Sequence, residues 1–157
     1  MIYDTIRKKG DFMPYLLGYT REPIDNVYYD PRLAYSLHLA VSEDGKNFTA
    51  LNHNSGVLFA KATENADGSL NPKTIKEPVI FKADAKGGDS AQSGDFAFGV
   101  AALRFGGDGE DDPESAGKAF VFHTNDFLEY TDAEEIPLEE YQKLKEAAKS
   151  ANSFISC

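Results

Sequence analysis

The chain has 157 residues, 41% of them hydrophobic, with 16 Lys and Arg against 26 Asp and Glu and a formal net charge of −10. That is enough chain and apolar surface for one folded unit rather than a disordered tail. The acidic balance excludes nucleic acid and anionic membrane as partners, because both need Lys/Arg patches. No apolar run approaches the roughly 20 residues of a membrane span.

The basic triplet near the start, Arg7-Lys8-Lys9, has no apolar stretch behind it, so the opening does not read as a secretory signal. Met13–Thr20 reads as a strand. Pro23–Arg32 reads as an aromatic-rich loop with two carboxylates, Asp25 and Asp30. Ser36–Ser42 is a second strand, with Leu37, Leu39 and Val41 alternating on one face. Glu43–Lys46 is a turn whose Gly45 supplies a positive φ, and Asn47–Leu51 returns as a short strand.

Farther along, Pro78–Lys82, Phe96–Arg104 and Lys118–Thr124 read as strands, separated by the polar loops Ala83–Ser93 and Gly106–Ser115. The second loop is acidic, but its glycines precede its acids. That order does not match a calcium-binding helix–loop–helix, and a solvated loop is the expectation. Leu138, Tyr141, Leu144 and Ala148 then fall at helical spacing, with Glu139 and Lys143 as a favourable pair. They predict one substantial helix over Pro137–Ala151, with Pro in its first turn. The expected core is Leu37, Leu39, Val41, Phe98, Val100, Phe120 and Phe122.

Two stretches resemble each other. Leu39–Phe48 and Val121–Tyr130 are each an apolar strand, then Ser or Thr, then an Asp turn, then an aromatic residue, at an offset of about 82. Tyr15–Tyr19 aligns with Phe96–Val100 at nearly the same offset. The pattern predicts an all-β fold of about two antiparallel blade-like units, at about 13–58 and 77–136, followed by a helix and tail over 137–157.

The stretch Leu37–Leu51, LHLAVSEDGKNFTAL, runs on into Asn52–Leu58. It resembles the first-blade pattern of five-bladed β-propeller glycoside hydrolases of the family 43 type and their arabinofuranosidase-like relatives. There a strand leads into S-x-D-G-x-x-F/W and then L-N-x-x-x-x-V-L. Lys76-Glu77-Pro78-Val79-Ile80-Phe81 looks like that family's R-D-P-x-I-F, with Glu77 where the family has Asp, and Lys118–Ile136 looks like its closing T-S-x-D-L strand. The resemblance covers about Tyr15 to Ile136. It supplies about two blades where the family needs five, and the remaining carboxylate positions of the family would lie beyond residue 157.

Hydrolysis of a glycosidic bond takes two carboxyl groups flanking the bond. By the resemblance, Glu77 sits at the start of an innermost strand and is the first catalytic candidate, with Asp30 and Asp95 behind it. Tyr28 and Tyr29 could stack on the apolar faces of sugar rings, with Arg32 binding hydroxyls. The competing reading of that segment is an interblade loop with buried tyrosines. His38, His53 and His123 show no metal spacing, and His123 reads as a satisfied, partly buried strand residue. No metal and no cofactor is expected.

The expected partner is carbohydrate, of a pentosyl, arabinofuranosyl-like kind. A second polypeptide, or further copies of this chain, would complete the ring, so the chain is not expected to be self-sufficient. The alternative is a carbohydrate-binding or assembly module with no chemistry. Cys157 is the sole cysteine and permits no disulfide within one chain, so a cytoplasmic location is expected.

Overall fold

The computed structural model describes residues 15–24, 30–82, 96–150 and 154–156, the last stretch and residues 149–150 by backbone alone. Among the described residues the chain builds two four-stranded sheets, a two-stranded hairpin, a one-turn α-helix and one long α-helix. The strands are β1 (Tyr15–Tyr19), β2 (His38–Ser42), β3 (Thr49–Ala50), β4 (Thr63–Glu64), β5 (Leu70–Asn71), β6 (Lys73–Lys82), β7 (Phe98–Gly106), β8 (Lys118–Thr124), β9 (Glu134–Pro137) and β10 (Phe154–Ser156). The helices are α1 (Pro31–Ala34) and α2 (Leu138–Ser150).

The first sheet has the order β10-β1-β2-β3, and the second runs β6-β7-β8-β9. All neighbours in both sheets are antiparallel except β10, which lies parallel to β1. The expected all-β class with a C-terminal helix therefore holds, and β8 has the expected limits.

The main core lies between the sheets. Leu16, Leu37, Leu39 and Leu58 meet Ile75, Ile80, Val100, Ala102, Phe120, Phe122 and Phe127, all buried. Their removal from water is the main force holding the sheets face to face. Gly18 marks the closest approach, since a Cβ there would stand 2.8 Å from Ile80 Cδ1. Val41 and Phe98, expected as core, are only half-buried at its edge.

The other face of the second sheet carries Val79, Ala101, Val121 and Ile136, and α2 lays Tyr141, Leu144 and Ala148 on it. Leu138, read as part of the same stripe, remains 38% exposed. The helix starts after Pro137, which ends β9 and is not its first residue.

The repeat survives in atomic detail at the turns. Ser42 Oγ accepts from Asp44 N and Gly45 N, and Asp44 Oδ1 accepts from Lys46 N and Asn47 N. Thr124 Oγ1 accepts from Asp126 N and Phe127 N, and Asp126 Oδ1 from Leu128 N and Glu129 N. Gly45 and Phe127, at the same place in each turn, both have positive φ, 75° and 59°. The strand pairing corrects one alignment. Ser42 faces Tyr15 and Thr124 faces Phe98, so Tyr15 corresponds to Phe98 and not to Phe96.

Three further expectations change. The strand expected at Pro78–Lys82 begins at Lys73. The polar hairpin β4-β5 and the acidic edge strand β9 have too few apolar residues to announce themselves. The tail segment β10 joins the first sheet instead of standing apart.

Candidate functional site

The centre of β6 is irregular. Lys76 pairs with Leu103 and Val79 with Ala101, so Glu77 and Pro78 together face a single residue of β7 and form a β-bulge. Pro78 has no N–H to offer the ladder, which suits this break. Glu77 adopts φ 52°, left-handed backbone that a residue with a Cβ enters only at a cost of roughly 1–2 kcal/mol. Bulges re-aim side chains, and strain in a non-glycine residue concentrates at functional sites.

Two contacts hold the bulge. Tyr141 Oη, on α2, donates to the Glu77 carbonyl at 2.7 Å. Burial, with a smaller contribution from the Glu77 charge, raises the Tyr141 pKa and keeps its hydroxyl protonated as a donor. The Glu77 carboxylate is half-exposed and stands 3.7 Å from Lys145 Nζ, its only ion-pair or hydrogen-bond partner among the described residues. The preceding Lys76 turns the other way, donating to the Gly109 carbonyl at 2.8 Å and lying over the Tyr35 ring at 4.3 Å.

Asp30 and Arg32 are engaged with each other. Asp30 caps α1 by accepting from Arg32 N at 2.9 Å, and both its oxygens accept from Arg32 Nε at 3.0 Å. The hydrogen bonds from Arg32 hold the Asp30 carboxyl below the usual carboxylate range. A bidentate pair of this kind leaves Asp30 poorly placed as a proton donor and Arg32 poorly placed as a hydroxyl binder. α1 is tied to the strand that bears Glu77, because Ile75 N donates to Tyr35 O at 3.0 Å. Asp25, Tyr28, Tyr29 and Asp95, the other candidates, and the loop Ala83–Ser93 lie outside the described residues.

The acidic loop needs correction, because its end is not simply solvated. The Asp112 and Ser115 side chains are buried, and Asp112 pairs with Lys73, whose side chain is fully buried. Lys73 Nζ lies 2.8 Å from Asp112 and 2.9 Å from Glu114. Ser115 Oγ donates to Asp112 and accepts from Arg104 Nε at 2.7 Å. Burial pushes the Asp112 carboxyl up, but the bonds from Lys73 and Ser115 outweigh it and leave it below its ordinary value. A buried lysine needs such partners, so the loop folds inward to supply them.

His123 is buried against Phe96, with ring centroids 6.0 Å apart. His38 is more unusual. Its Nδ1 is 3.0 Å from the Ser36 carbonyl, and its Nε2 is buried with no hydrogen-bond partner. Burial lowers its pKa and favours the neutral ring. Nearby, Tyr19 Oη donates to Asn54 Oδ1 at 2.5 Å, and Asn52, His53 and Asn54 all have positive φ. The sequence hinted at none of this, since His38 alternates with leucines as an ordinary strand residue would.

Among the described residues, no group of three or more His, Cys, Asp or Glu side chains converges as a metal site, and no helix is long and apolar enough to cross a membrane. No known family profile, curated protein or solved structure matches the chain. Fold and site together define a β-rich unit of two packed four-stranded sheets, with one strained, solvent-facing carboxylate on a bulge.

Proposed function

We propose that the chain forms two blades of a β-propeller acting on pentosyl glycosides of the arabinofuranosyl kind, with Glu77 as one of its two carboxylates. The observation that carries this reading is the Glu77 bulge. A strained backbone lifts one half-exposed carboxylate off the first strand of a four-stranded antiparallel meander. The paired Ser/Thr–Asp turns and the face-to-face packing of the sheets support the blade reading. The second carboxylate comes from blades supplied by another polypeptide or by further copies of the chain. In this reading α2 caps the outer face of the second sheet.

One observation favours a second reading, a carbohydrate-binding module without chemistry. Asp30 is neutralised by Arg32, and no second carboxylate partners Glu77 among the described residues.

The test is calorimetric titration of the full chain with arabino-oligosaccharides, alongside turnover of a p-nitrophenyl arabinofuranoside, for the native chain and Glu77→Gln. Saturable binding weakened at least tenfold by the substitution supports a carbohydrate site at the bulge. Turnover lost with it adds catalysis, and binding without turnover in a preparation that light scattering shows to be assembled favours the second reading. No binding and no turnover overturn both.

A further inference from the structure

A cleft of about 130 Å³ opens where the segment Leu58–Lys61, leaving the first sheet, crosses the second sheet. It is close to the ~150 Å³ of a cavity that holds one benzene ring. Phe59, Phe120 and Tyr130 make its walls largely apolar, and Phe59 is 44% exposed at its rim. Lys61 and Asp132 also line it and pair at 2.6 Å, both almost fully exposed. Such a surface pair is weak and opens readily.

Two cations line this space, the exposed Lys61 and the mostly buried Arg104. Arg104 lies over the Phe120 ring at 4.1 Å, with its side chain 15% exposed. Its Nε donates to Ser115 at 2.7 Å and stands 3.8 Å from Asp112, whose charge is already taken up by Lys73 at 2.8 Å. Among the described residues the one hydrogen bond that the Arg104 side chain donates is from Nε, to Ser115. A mostly buried guanidinium over an aromatic ring, hydrogen-bonded to the protein through Nε, keeps its amino groups to offer a carboxylate. A second cleft of about 380 Å³ also touches Arg104, on the side of Asp112 and Ser115, where Nε is already engaged.

We propose that the Phe59–Phe120–Tyr130 cleft binds a small monocarboxylate with an apolar, ring-sized body, with Arg104 holding the carboxylate. A phosphate fits less well, since a strongly hydrated dianion gains nothing from apolar walls and meets a single arginine. The site is independent of the glycan reading, because it shares no residue with the Glu77 bulge.

The test titrates the isotope-labelled full chain with benzoate, and separately with benzyl alcohol as a neutral ligand of similar size, following amide and arginine side-chain resonances. Expected are saturable shifts at Phe59–Lys61, Tyr130–Ala133 and the Arg104 side chain, with benzoate binding at least tenfold more tightly than the alcohol. Arg104→Gln should abolish that preference, and Phe59→Ala should weaken both ligands several-fold while leaving the preference intact. Equal binding of the two ligands, shifts confined to other regions, or a preference that survives in a folded Arg104→Gln chain would overturn the proposal. Should Arg104→Gln fail to fold, the benzoate-to-alcohol ratio in the native chain decides alone.

Discussion

The turn after β2 and the turn after β8 carry the same backbone hydrogen bonds on different residues. In both, a hydroxyl takes two N–H groups and an aspartate takes the next two. They differ at the left-handed position. In the first, Gly45 occupies it, and a Cβ there would stand 3.2 Å from the Tyr15 ring. In the second, Phe127 occupies it, fully buried against Phe98 with ring centroids 4.9 Å apart. The Ser/Thr and Asp side chains set the backbone in both cases. The left-handed residue is then free to be either the one that costs least or the one that packs best. In the second turn, burial of a large aromatic side chain outweighs backbone strain of roughly 1–2 kcal/mol.

The largest expected break in this comparison is Phe127→Ala. It removes a large buried side chain beneath Phe98 and should cost about 3–5 kcal/mol in denaturant unfolding. Replacing the second turn's hydroxyl comes next. Thr124→Ala deletes a fully buried group that also donates to Glu129 O at 2.7 Å, an expected loss of about 1–3 kcal/mol. The equivalent Ser42→Ala should cost less in the same unfolding assay, because its hydroxyl donates to the adjacent Asp44 and not to a main-chain carbonyl. Gly45→Ala should cost about 1–2 kcal/mol, since the new Cβ meets both the φ penalty and the Tyr15 ring.

The smallest effect is expected in the pH dependence shared by the two turns. Backbone N–H bonds are the largest influence on Asp44 and Asp126, and both carboxyls are held below their ordinary value. In acid the unfolded chain takes up these protons first. The stabilisation is therefore present above about pH 4 and lost as pH falls through the lower folded values. His38 and His123 act in a higher window. Burial lowers both pKa values, so their neutral forms favour folding above about pH 6.5, and that contribution falls away below it. Thermal unfolding should therefore show two drops in melting temperature on acidification. His38→Gln should reduce the upper drop and leave the lower one.

The turns and the strands around them were legible in the sequence because their causes are local. Ser42, Asp44 and Gly45, or Lys118–Thr124 running into Asp126, carry their structural reasons within a few neighbouring residues. The hidden features depend on distant partners. Nothing near Lys73 shows that it will be buried, because Asp112 lies 39 residues away. β9 reads as polar because only Ile136 of its four residues turns inward. Of the site, Glu77-Pro78 stood out as a dipeptide, but its bulge appears only once β7 is laid against it. The placement of Arg104 depends on Phe120 and Ser115, and only the tendency of an arginine ending an apolar strand to seek a partner could have pointed there.

The central claim is that the strained carboxylate on β6 marks a carbohydrate site. Hydrogen–deuterium exchange of the full chain, with and without a saturating arabino-oligosaccharide, tests it most directly. The account predicts slower exchange in peptides spanning Lys73–Lys82 and the facing stretch of α2 around Tyr141–Lys145, with that protection lost in Glu77→Gln. Unchanged exchange across β6, or protection that persists in Glu77→Gln, would contradict it.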